Sequence, residues 1–187
     1  MDHWEVVRGR VIELAVGDIT RMPADAIVNA ANNHLGGGGG VDGAIHRAGG
    51  PAILADLTRR YGPIGVRTCP TGSAVISDAG DLPARWVVHT VGPIWLDGGQ
   101  GEPEALASAY DVSLRVADAH GAAHVAYPSI STGVFRYPMH AAAEIAVTTL
   151  AQGLREAAAV RRVTLVAHWL DALEPLEEAL ERAAGGP

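Results

Sequence analysis

DAIVNAANNHLGGGGGVDG, residues 25–43, carries the clearest indication of the fold. It begins with the short apolar run 25–29, which suits a buried strand. Five consecutive glycines follow at 36–40, and the chain from Asp42 onward has helical composition. Glycines at this point permit positive φ angles and close approach of the backbone to a ligand. The stretch therefore predicts a strand, a glycine-rich loop and a helix in succession.

The same alternation extends in both directions along the chain. Further strands are predicted within 6–16 (broken near Gly9), 73–77, 85–91, 124–128 and 162–168. Helices are predicted at 42–61 (interrupted at 49–51), 103–120 and 138–154, with a last one starting near 171–175. This order is typical of an α/β protein with helices on both faces of a mostly parallel sheet. The tail 183–187 is expected to be frayed.

Composition narrows the classes of function. A chain of 187 residues fits a single domain, 1–187, and its formal net charge of −7 disfavours binding to a nucleic-acid polymer. The single cysteine, Cys69, excludes an internal disulfide and a cysteine-based zinc site, and the histidines form no HExxH pair, so neither metal nor cofactor is expected.

No apolar run is long enough to cross a membrane, and the charged N-terminus is unlike a signal peptide. We therefore expect a cytoplasmic protein.

Two loops are candidates for binding phosphate through backbone amides, which needs no basic side chain. The first, 36–43, would place the positive end of a helix beside the glycines. The second, SISTGVF at 129–135, also follows a strand. Each has a plain structural alternative: a flexible surface loop with Asp42 as the helix N-cap, and an ordinary loop with Ser and Thr caps. Two such loops at one sheet edge favour a clamp on a diphosphate.

Two polar stretches follow predicted strands. The asparagines of NAANN, 29–33, either close a turn or hydrogen-bond sugar hydroxyls. Asp18, in GDIT at 17–20, is either a turn residue or an acceptor for an exocyclic amine. Spacing alone leaves both questions open.

Five blocks together resemble the macrodomain family, most closely its branch of mono-ADP-ribosyl-protein hydrolases. They are GDIT at 17–20, DAIVNAAN at 25–32, GGVDGAIHRAGG at 39–50, LPARWVVHTVGP at 82–93 and YPSISTGVFRYP at 127–138. The resemblance covers about residues 11–170. It implies a three-layer α/β/α fold with a mixed, mostly parallel central sheet, and ADP-ribose as the ligand.

The resemblance also assigns roles. Asp18 would contact the adenine amine, Asn32 and Phe135 would lie near the distal ribose, and Asn32 and Asp42 would be catalytic. The implied ADP-ribose contacts are Asp18, Ile19, Thr20, Ala31, Asn32, Gly38, Gly39, Gly40, Val41, Asp42, Gly43, Ser131, Thr132, Gly133, Val134, Phe135, Arg136, Tyr137 and Trp169. Trp169 matches an aromatic near adenine, with a core or interface tryptophan as an equal alternative.

Two positions depart from the family pattern. Gly36 replaces a larger apolar residue, which is expected to loosen the start of the first loop. Arg136 replaces a glycine and is either solvent-exposed or in contact with the diphosphate or the modified partner. Neither departure affects Asn32 or Asp42.

The implied reaction cleaves the bond between the distal ribose and a protein Glu or Asp carboxylate. Because a carboxylate leaves without being protonated, one acid suffices. Asp42 would orient or polarise the attacking water, and Asn32 would fix the ribose. His46, one helical turn beyond Asp42, could face the same way, although a packing role is favoured.

Three rival functions use the same site. A non-catalytic ADP-ribose reader is disfavoured by the presence of Asn32 and Asp42. Deacetylation of O-acetyl-ADP-ribose cannot be separated from the hydrolase by sequence, and an ADP-ribose 1″-phosphate phosphatase is disfavoured. The expected partners are ADP-ribose and mono-ADP-ribosylated proteins, and the expected state is a monomer.

Overall fold

A seven-stranded mixed sheet forms the centre of the computed structural model, which describes residues 3–185. The strands are β1 His3–Val7, β2 Arg10–Val16, β3 Ala26–Ala30, β4 Ala74–Asp78, β5 Trp86–Thr90, β6 His124–Pro128 and β7 Arg162–Ala167. Their order is β1-β2-β7-β6-β3-β5-β4. The five central strands are parallel, and the edge strands β1 and β4 are antiparallel to their neighbours. The predicted α/β fold with a mixed, mostly parallel sheet is confirmed.

Five helices flank the sheet: α1 Gly40–Gly49, α2 Pro51–Tyr61, α3 Glu102–Ala119, α4 Met139–Glu156 and α5 Glu174–Gly185. The predicted interruption at 49–51 is confirmed, because Gly50 has a φ of 70° and Pro51 begins α2. The expected fraying of 183–187 is wrong for residues 183–185, which are helical, with Ala183 packed against the core. Residues 186 and 187 lie outside the described range.

Strand alternation divides the core into two layers. Val28 points into the cluster formed with α3, α4 and α5, whereas its neighbour Ile27 points into the cluster that includes α1 and α2. Side chains of a strand alternate between faces in this way. Asn29 has the same parity as Ile27, so its side chain lies on the α1 side of the sheet. Within residues 3–185 no helix is both long and apolar enough to span a membrane.

The direction of the central strands determines where the candidate loops meet. Because β2, β7, β6, β3 and β5 are parallel, their carboxyl ends lie at one edge of the sheet. Open α/β sheets bind ligands outside this edge. The stretches starting at residues 17, 31, 91, 129 and 168 therefore gather there.

Candidate functional site

The first loop presents a row of unpaired backbone amides. Helix α1 begins at Gly40 with Gly39 as its N-cap, and the first amide to bond back is that of Gly43, to the Gly39 oxygen at 3.2 Å. The amides of residues 37–42 donate to no group in residues 3–185. Asp42 is the third helical residue, so the alternative that it is the N-cap is wrong. The loop can offer these amides and the helix dipole to an anion.

The start of this loop is held firmly. Buried Arg67 donates to the carbonyl oxygens of Leu35 at 2.8 Å and His34 at 3.3 Å, and the Asn32 side-chain oxygen accepts from the amide of His34 at 3.0 Å. A Cβ added at Gly36 would lie 3.8 Å from Ile64. The space left by Gly36 is thus bordered by Ile64, and the backbone before it is tied by Arg67. These contacts show no loosening of the loop at Gly36. The hydrogen bonds of Arg67 to this loop were not predicted from the sequence.

The second loop is a tight turn with its own row of amides. Tyr137 donates its amide to the Ser131 oxygen at 3.0 Å, and Arg136 donates to Gly133 at 2.9 Å. The amides of residues 131–135 donate to nothing in the described part of the chain. Because β6 and β3 are parallel neighbours, this row lies at the same edge as the first loop. The two-loop clamp is thereby supported by geometry.

Side chains of the second loop separate into inward and outward groups. Tyr137 is buried and stacks edge-on against Trp95, with ring centroids 4.6 Å apart, which supports the turn from inside; its contact with the ligand stays a prediction. Ser131, at a φ of 67°, is also buried, and its Oγ has no hydrogen-bond partner among residues 3–185. Val134 is 90% exposed. Arg136 is exposed and has a φ of 58°, which explains why glycine suits this position.

Asp18 lies at the carboxyl end of β2 with one oxygen committed. Its Oδ1 accepts from the amide of Thr20 at 2.9 Å and from its hydroxyl at 2.7 Å, and these bonds hold the pKa of Asp18 below its usual value. Arg21 lies 3.8 Å from Oδ2. The amide and hydroxyl of Thr20 thus orient Asp18, and both Thr20 and Ile19 are buried. The Asp18 side chain is partly exposed, and Oδ2 is the oxygen left to accept from an amine.

Trp169 stands next to Asp18 across the sheet edge. Strand β7 pairs with β2, with Ala167 opposite Val16, so residues 168–169 lie beside 17–18. The Trp169 ring is 68% exposed and packs edge-on against His168, with centroids 4.0 Å apart. The alternative of a core tryptophan is wrong. An exposed aromatic beside a carboxylate is a suitable surface for a purine base.

Asp42 is the centre of a buried polar cluster beside the first loop. It is 5% exposed. Its Oδ1 accepts from Asn29 Nδ2 at 2.7 Å and lies 3.3 Å from His46 Nε2. Its Oδ2 lies 3.4 Å from Asn32 Nδ2, which also donates to the Gly37 oxygen at 2.9 Å. Ala31 is buried beneath and can offer only its backbone.

His46 faces Asp42, as its helical spacing allowed. Both of its ring nitrogens are buried and make no hydrogen bond to residues 3–185. The ring is buried, as expected of a packing histidine, and it also lies against the Asp42 carboxylate. It does so at Oδ1, the oxygen also bonded by Asn29, and not at the oxygen nearer the loop.

A row of hydrogen-bonded side chains continues from Asp42 into the sheet and consists of Asp42, Asn29, His89 and Ser77. Asn29 Nδ2 lies 3.1 Å from His89 Nδ1, and His89 Nε2 lies 2.9 Å from Ser77 Oγ. His89 is wholly buried, and burial together with the nearby His46 lowers the pKa of His89 to about 3. Its imidazole is therefore neutral near neutral pH. Sequence reasoning missed this row, although a histidine inside the apolar strand WVVHT was a usable signal.

The family model for the macro domain matches residues 28–146. This chain belongs to the macrodomain family. The matched span contains both loops, Asp42 and the row from Asn29 to Ser77. Asp18 and Trp169 lie outside it.

Relatives and solved structures agree with this assignment. The macrodomain is 62% identical over 141 residues to a macro domain-containing protein of Streptomyces coelicolor, covering 75% of this chain and 82% of the relative. It is 52% identical over 157 residues to an O-acetyl-ADP-ribose deacetylase of Escherichia coli, covering 84% and 88%. A mutant macrodomain of Oceanobacillus iheyensis with ADPR superimposes with a TM-score of 0.87 at 37% identity, covering 96% of each chain.

Proposed function

We propose that this macrodomain binds ADP-ribose and removes mono-ADP-ribose from Glu and Asp side chains of proteins. We propose that the same site also deacetylates O-acetyl-ADP-ribose. The observation that carries the proposal is Asp42, a nearly buried carboxylate placed at the amide-lined end of α1 and held by two asparagines. A module that only bound its ligand would need the amides but not this carboxylate.

Binding is supported by the match between the ligand and the sheet edge. A diphosphate would lie between the amides of 37–42 and those of 131–135, which compensate its charge in a protein of net charge −7. Adenine would lie at the Asp18 and Trp169 end, and the distal ribose at the Asp42 end. The solved relative with ADPR and the relative named as a deacetylase of O-acetyl-ADP-ribose support the same ligand.

The chemistry follows from having one carboxylate beside the ribose. Water attacks the anomeric carbon, the carbon–oxygen bond to the protein carboxylate breaks, and that carboxylate leaves with the bonding electrons. One water proton passes to Asp42 Oδ2 or to solvent. Asn32 fixes the ribose, and positioning of the water supplies much of the rate gain. His46 contacts Oδ1, away from this path, so the described part of the chain offers no acid beside Asp42 to protonate a poor leaving group.

The test is a set of mono-ADP-ribosylated peptides of defined linkage, with released ADP-ribose measured by mass spectrometry. We expect release from Glu- and Asp-linked peptides, and no release from Ser- or Arg-linked ones, whose leaving groups need a proton. O-acetyl-ADP-ribose is assayed in parallel for free acetate. Binding of ADP-ribose without release from any substrate would make the protein a reader. Rapid release from serine would reveal an acid absent from the mechanism above.

Asp18→Ala is expected to weaken ADP-ribose binding about tenfold, the effect of losing one charge-assisted hydrogen bond. Adenine is remote from the bond that breaks, so turnover of bound substrate should change little. Calorimetry gives the affinity, and single-turnover assays give the chemical step. An unchanged affinity would remove Asp18 from the site. Thr20→Val is the control, because it removes the hydroxyl that orients Asp18 and keeps the carboxylate; we expect a smaller loss of ADP-ribose affinity.

Arg136→Gly separates the two roles left open for this arginine. Glycine relieves the positive φ, so stability should rise by about 0.5–1 kcal/mol. If the guanidinium meets the diphosphate or the modified protein, affinity for the free ligand or the protein substrate falls, by a few-fold for an exposed contact. We expect the loss with the protein substrate, since the side chain is exposed at the outer rim. Thermal unfolding and substrate titrations measure both effects.

A further inference from the structure

The row Asp42, Asn29, His89 and Ser77 allows only one arrangement of hydrogens. Asn29 Nδ2 lies 2.7 Å from Asp42 Oδ1 and 3.1 Å from His89 Nδ1, so both protons of this amide nitrogen are used. The opposite orientation would place the amide oxygen against a carboxylate, which is repulsive. The charge on Asp42 therefore selects the orientation of Asn29.

That orientation in turn selects the tautomer of His89. Nδ1 must accept from Asn29, so the ring proton is on Nε2, which donates to Ser77 Oγ at 2.9 Å. The Ser77 hydroxyl in turn donates a hydrogen bond to the Asp78 carbonyl oxygen at 3.0 Å. The row thus ends on the backbone of β4. Every donor in it has an acceptor.

We propose that His89 is a positioning residue for the reaction at Asp42. Its Nδ1 lone pair locks the Asn29 carboxamide, and the locked carboxamide holds Asp42 Oδ1, so that Oδ2 is the oxygen turned to the first loop and the ribose. The inference rests on the proposed function for its effect on turnover. The geometry of the row does not depend on that function.

The surroundings of His89 make this role specific. The charged or titratable groups around the ring are Asp42, His46 and Arg67, with His46 and His89 ring centroids 5.9 Å apart. Asp42 has no arginine or lysine partner within the described residues, so its orientation depends on Asn29, Asn32 and His46. Freed from His89, Asn29 could rotate, which would loosen its bond to Asp42 Oδ1 and leave the carboxylate held only by Asn32 and His46. Ligand affinity would be unaffected, because the phosphate amides lie elsewhere.

The test compares His89→Leu, which removes the acceptor at similar volume, with His89→Asn, whose side-chain oxygen can occupy the place of Nδ1. With a Glu-linked peptide, we expect His89→Leu to lower kcat about ten- to a hundredfold while KM and ADP-ribose affinity change less than about threefold. His89→Asn should recover most of kcat. Thr164→Val, which removes a buried hydroxyl hydrogen-bonded on β7, is the control and should leave kcat unchanged.

A second readout is independent of turnover. Nitrogen NMR should show His89 as the neutral tautomer protonated on Nε2, and the side-chain amide protons of Asn29 should exchange slowly in the wild type and in His89→Asn but quickly in His89→Leu. Equal exchange in all three proteins, or equal loss of kcat in both variants, would overturn the proposal. A wild type with no turnover would refute the proposed function, and the exchange rates would still decide the role of His89.

Discussion

Replacing Asp42 by alanine is expected to lower turnover of Glu-linked ADP-ribose by about 10²- to 10⁴-fold, the range for removing a group that handles the reacting proton. Affinity for free ADP-ribose should change less than about threefold, because the amides of 37–42 and 131–135 remain. Removing the carboxylate also takes away the acceptor that orients Asn29. Single-turnover release and calorimetry separate the chemical step from binding.

Asp42→Asn is the matched control for shape. It keeps the size of the side chain, and its oxygen can still accept from Asn29, but it has no charge to polarise water. We expect it to be nearly as slow as Asp42→Ala, with stability closer to the wild type. Retention of a tenth or more of the wild-type rate in both variants would show that Asp42 is not required for the chemistry.

The two binding loops could be found from sequence because their signals are local. Glycines or small residues between a strand and a helix are visible within ten residues of chain, and parallel strands bring such loops to one edge whatever their order. The resemblance then supplied the roles of Asp18, Asn32 and Asp42. The directions of the Thr20 and Tyr137 side chains, toward Asp18 and Trp95, could not be predicted because sequence does not show which way a loop side chain points.

The row behind Asp42 could not be predicted because it depends on which strands are neighbours. Asn29 and His89 are 60 residues apart, and they meet only because β3 pairs with β5 in a register that places them opposite each other. Ser77 joins them through the antiparallel pairing of β4 with β5. Arg67 likewise binds a carbonyl 32 residues away. The sequence shows that such residues are polar and lie within apolar stretches, but it does not show which distant residues they bond.

Gly43→Ala is expected to weaken ADP-ribose binding by about tenfold or more and to slow turnover as well. A Cβ at Gly43 would overlap the backbone oxygen of Gly38, and Gly38 itself packs against Asp42, where its own Cβ would lie 3.1 Å from Oδ2. The first loop must therefore move away from α1. This movement displaces the amides of 37–42 and also Gly38, which lies beside the Asp42 carboxylate. Overpacking of this kind costs about 1–3 kcal/mol of stability. Calorimetry, release assays and thermal unfolding give the three quantities.

Gly49→Ala, at the other end of α1, separates loss of the site from loss of stability. Its Cβ would meet the Ala79 backbone oxygen at 2.8 Å and would also overlap Ile53, so a comparable destabilisation is expected. No residue of either loop is among those contacts, and affinity for ADP-ribose should therefore stay within about twofold once the fraction folded is accounted for. If Gly43→Ala bound ADP-ribose as tightly as Gly49→Ala, close packing of the glycine loop on α1 would be unnecessary for binding.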